Sequence, residues 1–147
     1  MKSVLKTLEL ETKGELEIVD ITEMVEAFVK EAAIKNGLAN IQSLHTTATV
    51  FVNENEPLLW KDFKNHFNKI ASREQQYNHD DFQRRTVNLC EDECANGHSH
   101  CRAVNLPVNI CLNVIENKLQ LGQWQRILFI ELDRPRKRRV QIQVLGE

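Results

Sequence analysis

Several features are missing from this chain of 147 residues. No apolar run approaches the roughly 20 residues a helix needs to cross a bilayer, so no membrane partner is expected. The start, Met-Lys-Ser-Val-Leu-Lys-Thr-Leu-Glu-Leu, alternates polar and apolar residues. It lacks the continuous apolar stretch of a secretory leader, and the expected compartment is the cytosol. Excess positive charge is also lacking: 19 Lys and Arg face 21 Asp and Glu, a net charge of −2. That argues against a nucleic-acid partner held by global charge, since such binding rests on neutralising many phosphates. Internal repeats and low-complexity linkers are absent, which with the length favours a single domain over residues 1–147.

The hydrophobic content of 41% and charged content of 27% suit an ordinary globular core. A chain of about 150 residues buries roughly 70% of its unfolded surface and needs no covalent staples. The four cysteines, Cys90, Cys94, Cys101 and Cys111, are therefore expected to be reduced or metal-bound and not disulfide-paired.

Alternation over 3–10 and 15–19, with Gly14 between, predicts a β-hairpin. Asp20 and Glu23 resemble a capping box before a helix whose apolar face is Met24, Val25, Phe28, Val29 and Ala32, with Asn36-Gly37 as its stop. Strands are expected over 38–44 and 47–52. A second helix opens at Pro57 and buries Leu59, Phe63, Phe67 and Ile70. Residues 72–95 form a long polar loop, followed by a short helix over 98–106. Four more strands are expected near 108–115, 118–122, 124–132 and 138–145. The class is α+β, a largely antiparallel or mixed sheet with two to three helices.

Chemistry-bearing residues gather in a few places. His45-Thr46-Thr47 opens a strand that ends in Asn53-Glu54-Asn55, so polar groups sit at both ends of an apolar core. A histidine at a strand end is more often structural, but the amides flanking Glu54 are suited to orienting a carboxylate or a substrate. His79 stands beside Asp80 and Asp81, as metal-bound imidazoles stand beside carboxylates. A solvated loop is the plainer reading. Cys90, Cys94, His98, His100 and Cys101 offer a local zinc set, although the second pair departs from the usual spacing. On a helix, His98 and His100 point about 200° apart, so only one faces a given cleft. Trp124 and Gln125 follow Gly122, where the backbone can bulge or approach closely. Arg134-Pro135-Arg136-Lys137-Arg138-Arg139 is either a solvated turn or a grip for a phosphate. A near-neutral chain with such a patch points to a small phosphorylated ligand.

His45-Thr46-Thr47-Ala48, Asn53-Glu54-Asn55, Tyr77-Asn78-His79-Asp80, Ser99-His100 and Gly122-Gln123-Trp124-Gln125 occur in the order found in the YjbQ family, and the chain resembles it over nearly its whole length. The resemblance implies small α+β subunits assembling as a homotrimer. It implies a divalent metal, most often zinc, on His45, His79 and His100. The implied activity is that of a thiamine-phosphate synthase: a hydroxymethyl-pyrimidine diphosphate and a thiazole phosphate give thiamine phosphate and pyrophosphate. On this reading Glu54 is a general base or water-orienting group and Asp80 supports a ligand. Thr46, Asn53, Trp124, Gln125, Arg138 and Arg139 meet the substrate. The alternatives are a non-catalytic binder of a metal or phosphorylated ligand, a metal-dependent hydrolase of a phosphorylated small molecule, and a structural zinc at the cysteines. Gln123 stands where the family usually has Thr, Asn117 where it has a hairpin Gly and Asn113 where it often has Pro, and the His79–His100 segment is long. Straight strand would set His45 and Glu54 roughly 30 Å apart. They meet only if the strand bends or a neighbouring subunit supplies one of them.

Overall fold

A computed structural model describes all residues 1–147. The α+β expectation holds, and every strand pair is antiparallel. The elements in chain order are β1 (Lys2–Glu11), β2 (Ile18–Asp20), α1 (Thr22–Ala32), β3 (Asn36–Ser43), β4 (Ala48–Asn53) and α2 (Pro57–Ile70). A single 3-10 turn, Asn78–Asp80, precedes α3 (Gly97–Ala103), β5 (Asn109–Ile115), β6 (Lys118–Leu119), β7 (Arg126–Glu131) and β8 (Lys137–Gly146). They form a five-stranded sheet, β1-β8-β3-β5-β6, and a three-stranded sheet, β2-β7-β4.

Alternation decides which faces meet. Val140, Ile142 and Val144 of β8, Ala39 and Ile41 of β3, and Val114 of β5 point inward toward Val50, Ile127 and Phe129 of the smaller sheet. Helix α1 adds Val25, Phe28, Val29 and Ala32 to this core, the helical stripe expected of it. Strand β7 reads Arg-Ile-Leu-Phe-Ile-Glu without alternation because both its faces are covered. Its Leu128 and Ile130, with Leu132 just beyond, face a second cluster with Leu16, Ile18 and Phe67, under α2 and α3.

The predicted hairpin over 3–10 and 15–19 does not form. β1 instead runs along β8 for its whole length, while β2 pairs with β7 in the other sheet. Ladder length is the reason, since ten residues of alternating β1 find their match only in the equally long β8. Asn36-Gly37 is not the helix stop. Ala33, in the left-handed region at φ 50°, ends α1, and Asn36 and Gly37 begin β3. Gly37 is small for another reason: a Cβ there would collide with the Leu145 carbonyl of β8. Asp20 does serve the start of α1, accepting from the Thr22 N–H at 3.0 Å and the Thr22 hydroxyl at 2.6 Å. Pro57 opens α2 as expected, but Glu56 caps it, accepting from the Leu58 and Leu59 N–H groups.

The stripe expected on α2 is narrower in the structure. Only Phe67 is buried, Trp60 and Phe63 pack partly, and Ile70 is 39% exposed. A three-stranded sheet offers too narrow a surface to cover the whole helix face. The outer face of the five-stranded sheet carries no helix and presents Leu5, Leu38 and the amides of Asn40 and Gln143. No helix is long and apolar enough to cross a membrane.

Phe129 sits at the junction of both sheets and is fully buried. Phe129→Ala is expected to lower unfolding free energy by about 3–5 kcal/mol, measured by urea denaturation with an unchanged m-value. A loss below about 1 kcal/mol would mean that this packing is misplaced.

Candidate functional site

Where β3 leaves the large sheet and β4 enters the small one, the chain turns through Leu44-His45-Thr46-Thr47. The turn is held by the Ser43 hydroxyl donating to the Ala48 carbonyl at 2.6 Å and by the Leu44 N–H donating to Arg139 O at 3.2 Å. Beside it β7 crosses back to β8 through residues 132–136. The two crossings form one wall of a polar cavity of about 810 Å³, and the long loop and α3 form the other.

His45, His79 and His100 all line this cavity, but only His79 and His100 lie side by side, and the three do not converge as one ligand set. The His79 and His100 rings lie 4.5 Å apart between centroids. His79 Nε2 is buried and has no hydrogen-bond partner. His45 Nε2 accepts the Arg139 N–H at 2.7 Å, leaving only Nδ1 for a ligand. His98 points the opposite way, into the interior, with Nε2 3.2 Å from the Ser99 hydroxyl and 3.5 Å from Glu15. The helical spacing of His98 and His100 had required that divergence.

Helix α3 is fixed on every side. Asp80 Oδ1 accepts both the Asn96 and Gly97 N–H groups at 2.9 Å, which ties the His79 turn to the start of the His100 helix. Asp80 therefore bonds backbone and no imidazole; it positions the two histidines. The Ser99 hydroxyl donates to Leu132 O at 2.6 Å. Arg102 is fully buried and reaches Ala71 O, Asn68 Oδ1 and Glu15.

Behind the His45 turn lies a buried ion pair. Arg138 donates to both oxygens of Glu131 and to Thr47 Oγ1, and Thr12 donates to Glu131 Oε2 at 2.8 Å. Arg138 borders the cavity, but its side chain is only 5% exposed and both Glu131 oxygens take its guanidinium, so it is a weaker phosphate grip than its position in the basic run suggested. Arg139 lies outside the cavity, beside Glu9 and Glu11. The basic side chains at the cavity also include Arg85, Arg134 and Arg136. Arg134 meets Asp92 and the Cys94 thiol, and Arg136 donates to Asp133 at 3.1 Å. Arg85, in the featureless loop, carried no sequence signal beyond its charge.

The other sequence candidates fall elsewhere. Thr46 lines the cavity, but Asn53 and Glu54 lie at the far end of β4. There Glu54 shares a separate cleft of about 270 Å³ with Asn55, Gln123, Trp124 and Arg126. Trp124 is 66% exposed, and Gln125 closes a turn by accepting the Gly122 N–H at 2.7 Å. Asn55 donates to Asp20, which also takes Arg126 at 2.7 Å. Burial would raise the Asp20 carboxyl, yet the bonds from Arg126, Thr22 and Asn55 outweigh it and bring it down to about 2. The cysteine zinc set does not assemble: all four thiols are free, and no three His, Cys, Asp or Glu side chains converge as a metal cluster. Cys101 faces solvent and His98 the interior, which separates the donors.

Burial first, then the neighbouring His79 and Arg85, hold the His100 imidazole below its ordinary 6.5. Burial and then Arg138 do the same for His45. Both rings are neutral near pH 7, the form that offers a lone pair to a cation. Asp133 lies below the usual carboxylate range: burial would raise it, but the Arg134 N–H, the Asn96 amide and the nearby guanidiniums prevail.

The sequence profile described as "UPF0047 protein YjbQ-like" matches residues 6–147. A "UPF0047 protein" of Methanothermobacter thermautotrophicus is 35% identical, covering 100% of this chain and 95% of its own. "UPF0047 protein YugU" of Bacillus subtilis is 33% identical over 97% of this chain and 100% of its own. Among solved structures, a YbjQ-like protein of unknown function from Sulfolobus solfataricus superposes with a TM-score of 0.85 and 32% identity, covering 99% of both chains. A hypothetical protein of Aeropyrum pernix K1 does so with a TM-score of 0.80 and 31% identity, over 100% of both.

Two outcomes test this geometry. Glu131→Ala strands the buried Arg138 charge and is expected to cost about 3–5 kcal/mol, while Glu131→Met with Arg138→Leu recovers most of it, as read by chemical denaturation. The depressed histidines set a pH dependence. The unfolded chain takes protons near 6.5 and the folded chain only lower. Their contribution is thus complete above about 6.5 and lost as pH falls through the folded values. Tm should fall from pH 7 to 5, and less steeply in His100→Gln; identical slopes would contradict the burial of His100.

Proposed function

The chain belongs to the YjbQ-like UPF0047 family, and from that membership and the cavity we propose that it is a metal-dependent enzyme acting on a small diphosphorylated substrate, as a thiamine-phosphate synthase does. The observation that carries this reading is one cavity wall with His79, whose buried Nε2 lacks a partner, beside His100, facing arginines across the same space. An orphaned buried nitrogen is costly unless something occupies it, so these residues fit a divalent ion, and imidazole donors suit zinc. His79 and His100 would hold it; His45 lines the same cavity but does not converge with them as a third donor. When bound, the ion would neutralise charge on a diphosphate.

The protein's own residues would do the rest. Arg134 and Arg136, tethered by Asp92 and Asp133, present guanidiniums in fixed orientation to phosphate oxygens. In the synthase reaction the carbon–oxygen bond to the diphosphate breaks and the thiazole ring nitrogen forms the new carbon–nitrogen bond. The pyrophosphate leaves with the bonding electrons. No proton has to be abstracted, so the distance of Glu54 from the histidines does not weigh against this chemistry. A homotrimer with the site near a subunit interface would give the exposed Trp124 and Glu54 a role at a neighbour's cavity mouth.

Pyrophosphate release from the two thiamine precursors, with zinc-replete protein, should be detectable and fall at least about 100-fold in His100→Ala. Arg136→Ala should chiefly raise KM. If wild type gives no turnover yet binds pyrophosphate in calorimetry, the non-catalytic binding reading replaces the transferase. Hydrolysis of a single phosphorylated precursor would favour the hydrolase.

A further inference from the structure

Asn96 sits at the start of α3, 5% exposed, on the same cavity wall as His79 and His100. Its amide has a defined direction. Nδ2 donates to Asp133 Oδ2 at 3.2 Å, and an ionised carboxylate can only accept. Turning the amide over would set oxygen against oxygen. Oδ1 is thereby committed to the other side, where it is buried and has no partner. His79 Nε2 is in the same condition, so the two atoms do not satisfy each other.

These two atoms are not independent accidents. Asp80, next to His79, grips the Asn96 N–H, and the Asn96 carbonyl accepts the His100 N–H at 3.4 Å. One short network therefore places His79, Asn96 and His100 together. An amide oxygen and an unprotonated imidazole nitrogen are both electron-pair donors. Both are closed to solvent, so neither is served by bulk water, whereas a bare divalent cation is smaller than a water molecule. Buried polar groups left unpaired in a folded protein call for a reason, and an unplaced ion is one of the recognised reasons.

We propose that Asn96 Oδ1 is a further ligand of the divalent cation held by His79 and His100, with Asp133 as the residue that aims it. This rests on the metal reading given above and adds an oxygen donor to its nitrogen set. An N,N,O set suits zinc, cobalt and other borderline first-row ions better than the softest ones.

The test is titration of the full-length chain with Co²⁺, followed by its visible d–d absorption, for wild type, Asn96→Ala, Asn96→Asp and His100→Ala. Wild type should bind one Co²⁺, with His100→Ala strongly impaired. Asn96→Ala should bind at least about tenfold more weakly, with a changed band. Asn96→Asp should bind at least as tightly as wild type, because it returns an oxygen with added charge, even though it loses the donor to Asp133. A residue that only supports α3 would instead give two variants with lowered thermal stability and no recovery of affinity in Asn96→Asp. Should Asn96→Ala not fold, the Asn96→Asp affinity and band decide. Wild-type affinity and spectrum in Asn96→Ala would overturn the assignment while leaving the His79–His100 metal in place. Absence of Co²⁺ binding by wild type, or unchanged binding in His100→Ala, would overturn the metal reading and this ligand with it.

Discussion

Glu131 closes β7 and Arg138 opens β8, so the ion pair between them spans the point where the chain passes from one sheet to the other. Thr12 at the end of β1 and Thr47 before β4 join the same pair. Three of the crossings between the sheets, β1 to β2, β3 to β4 and β7 to β8, are thereby locked together. Such a pair contributes little net stability, because desolvating two charges offsets their attraction. What it supplies is position. Any relative slip of the sheets would separate buried charges, so the His45 turn and the Arg134–Arg136 turn keep a fixed spacing.

The cavity is consequently built of two unlike walls. The sheet wall is rigid, and its groups are held by backbone: the His45 nitrogen rests on an N–H of β8. The opposite wall hangs from α3, whose seven residues would be marginal as an isolated helix. Asp80, Ser99 and Arg102 attach α3 to three separate parts of the fold. Gly97 is required there, since a Cβ would press into the Tyr77 ring, about 2.5 Å from its Cβ.

How much of this was legible in the sequence depends on the range of the interaction. Local patterns read well: the apolar face of α1, Pro57 at the start of α2 and the opposed directions of His98 and His100 all follow from helical spacing. The pairing of β1 did not, because alternation fixes which face is buried but not which partner lies alongside. His45, His79 and His100 were chosen through separated motifs, and the fold sets them on one cavity. Asn53, Glu54, Trp124 and Gln125 were chosen the same way and lie at the other end of β4, because a six-residue strand keeps its ends apart. Arg102, Asn96 and Glu131 were invisible, since a buried polar residue is identified by its partners, and those come from distant parts of the chain.

Between the Asp80 clamp and Asn96 the chain leaves the framework altogether. Residues 81–95 contribute nothing to either hydrophobic cluster, and beyond the backbone bonds next to Asp80 they are pinned back by Arg85 on His79 O and by Arg134 on Asp92 and Cys94. Loop closure grows so slowly with length that doubling such a segment costs only about 0.6 kcal/mol. The mouth of the cavity can therefore be lengthened, trimmed or rewritten by descent almost without cost to the scaffold. The histidine wall cannot drift that way, because Asp80, Ser99 and Arg102 tie it to three separate parts of the fold. One scaffold thus carries a fixed histidine wall behind an entrance whose sequence is free to change.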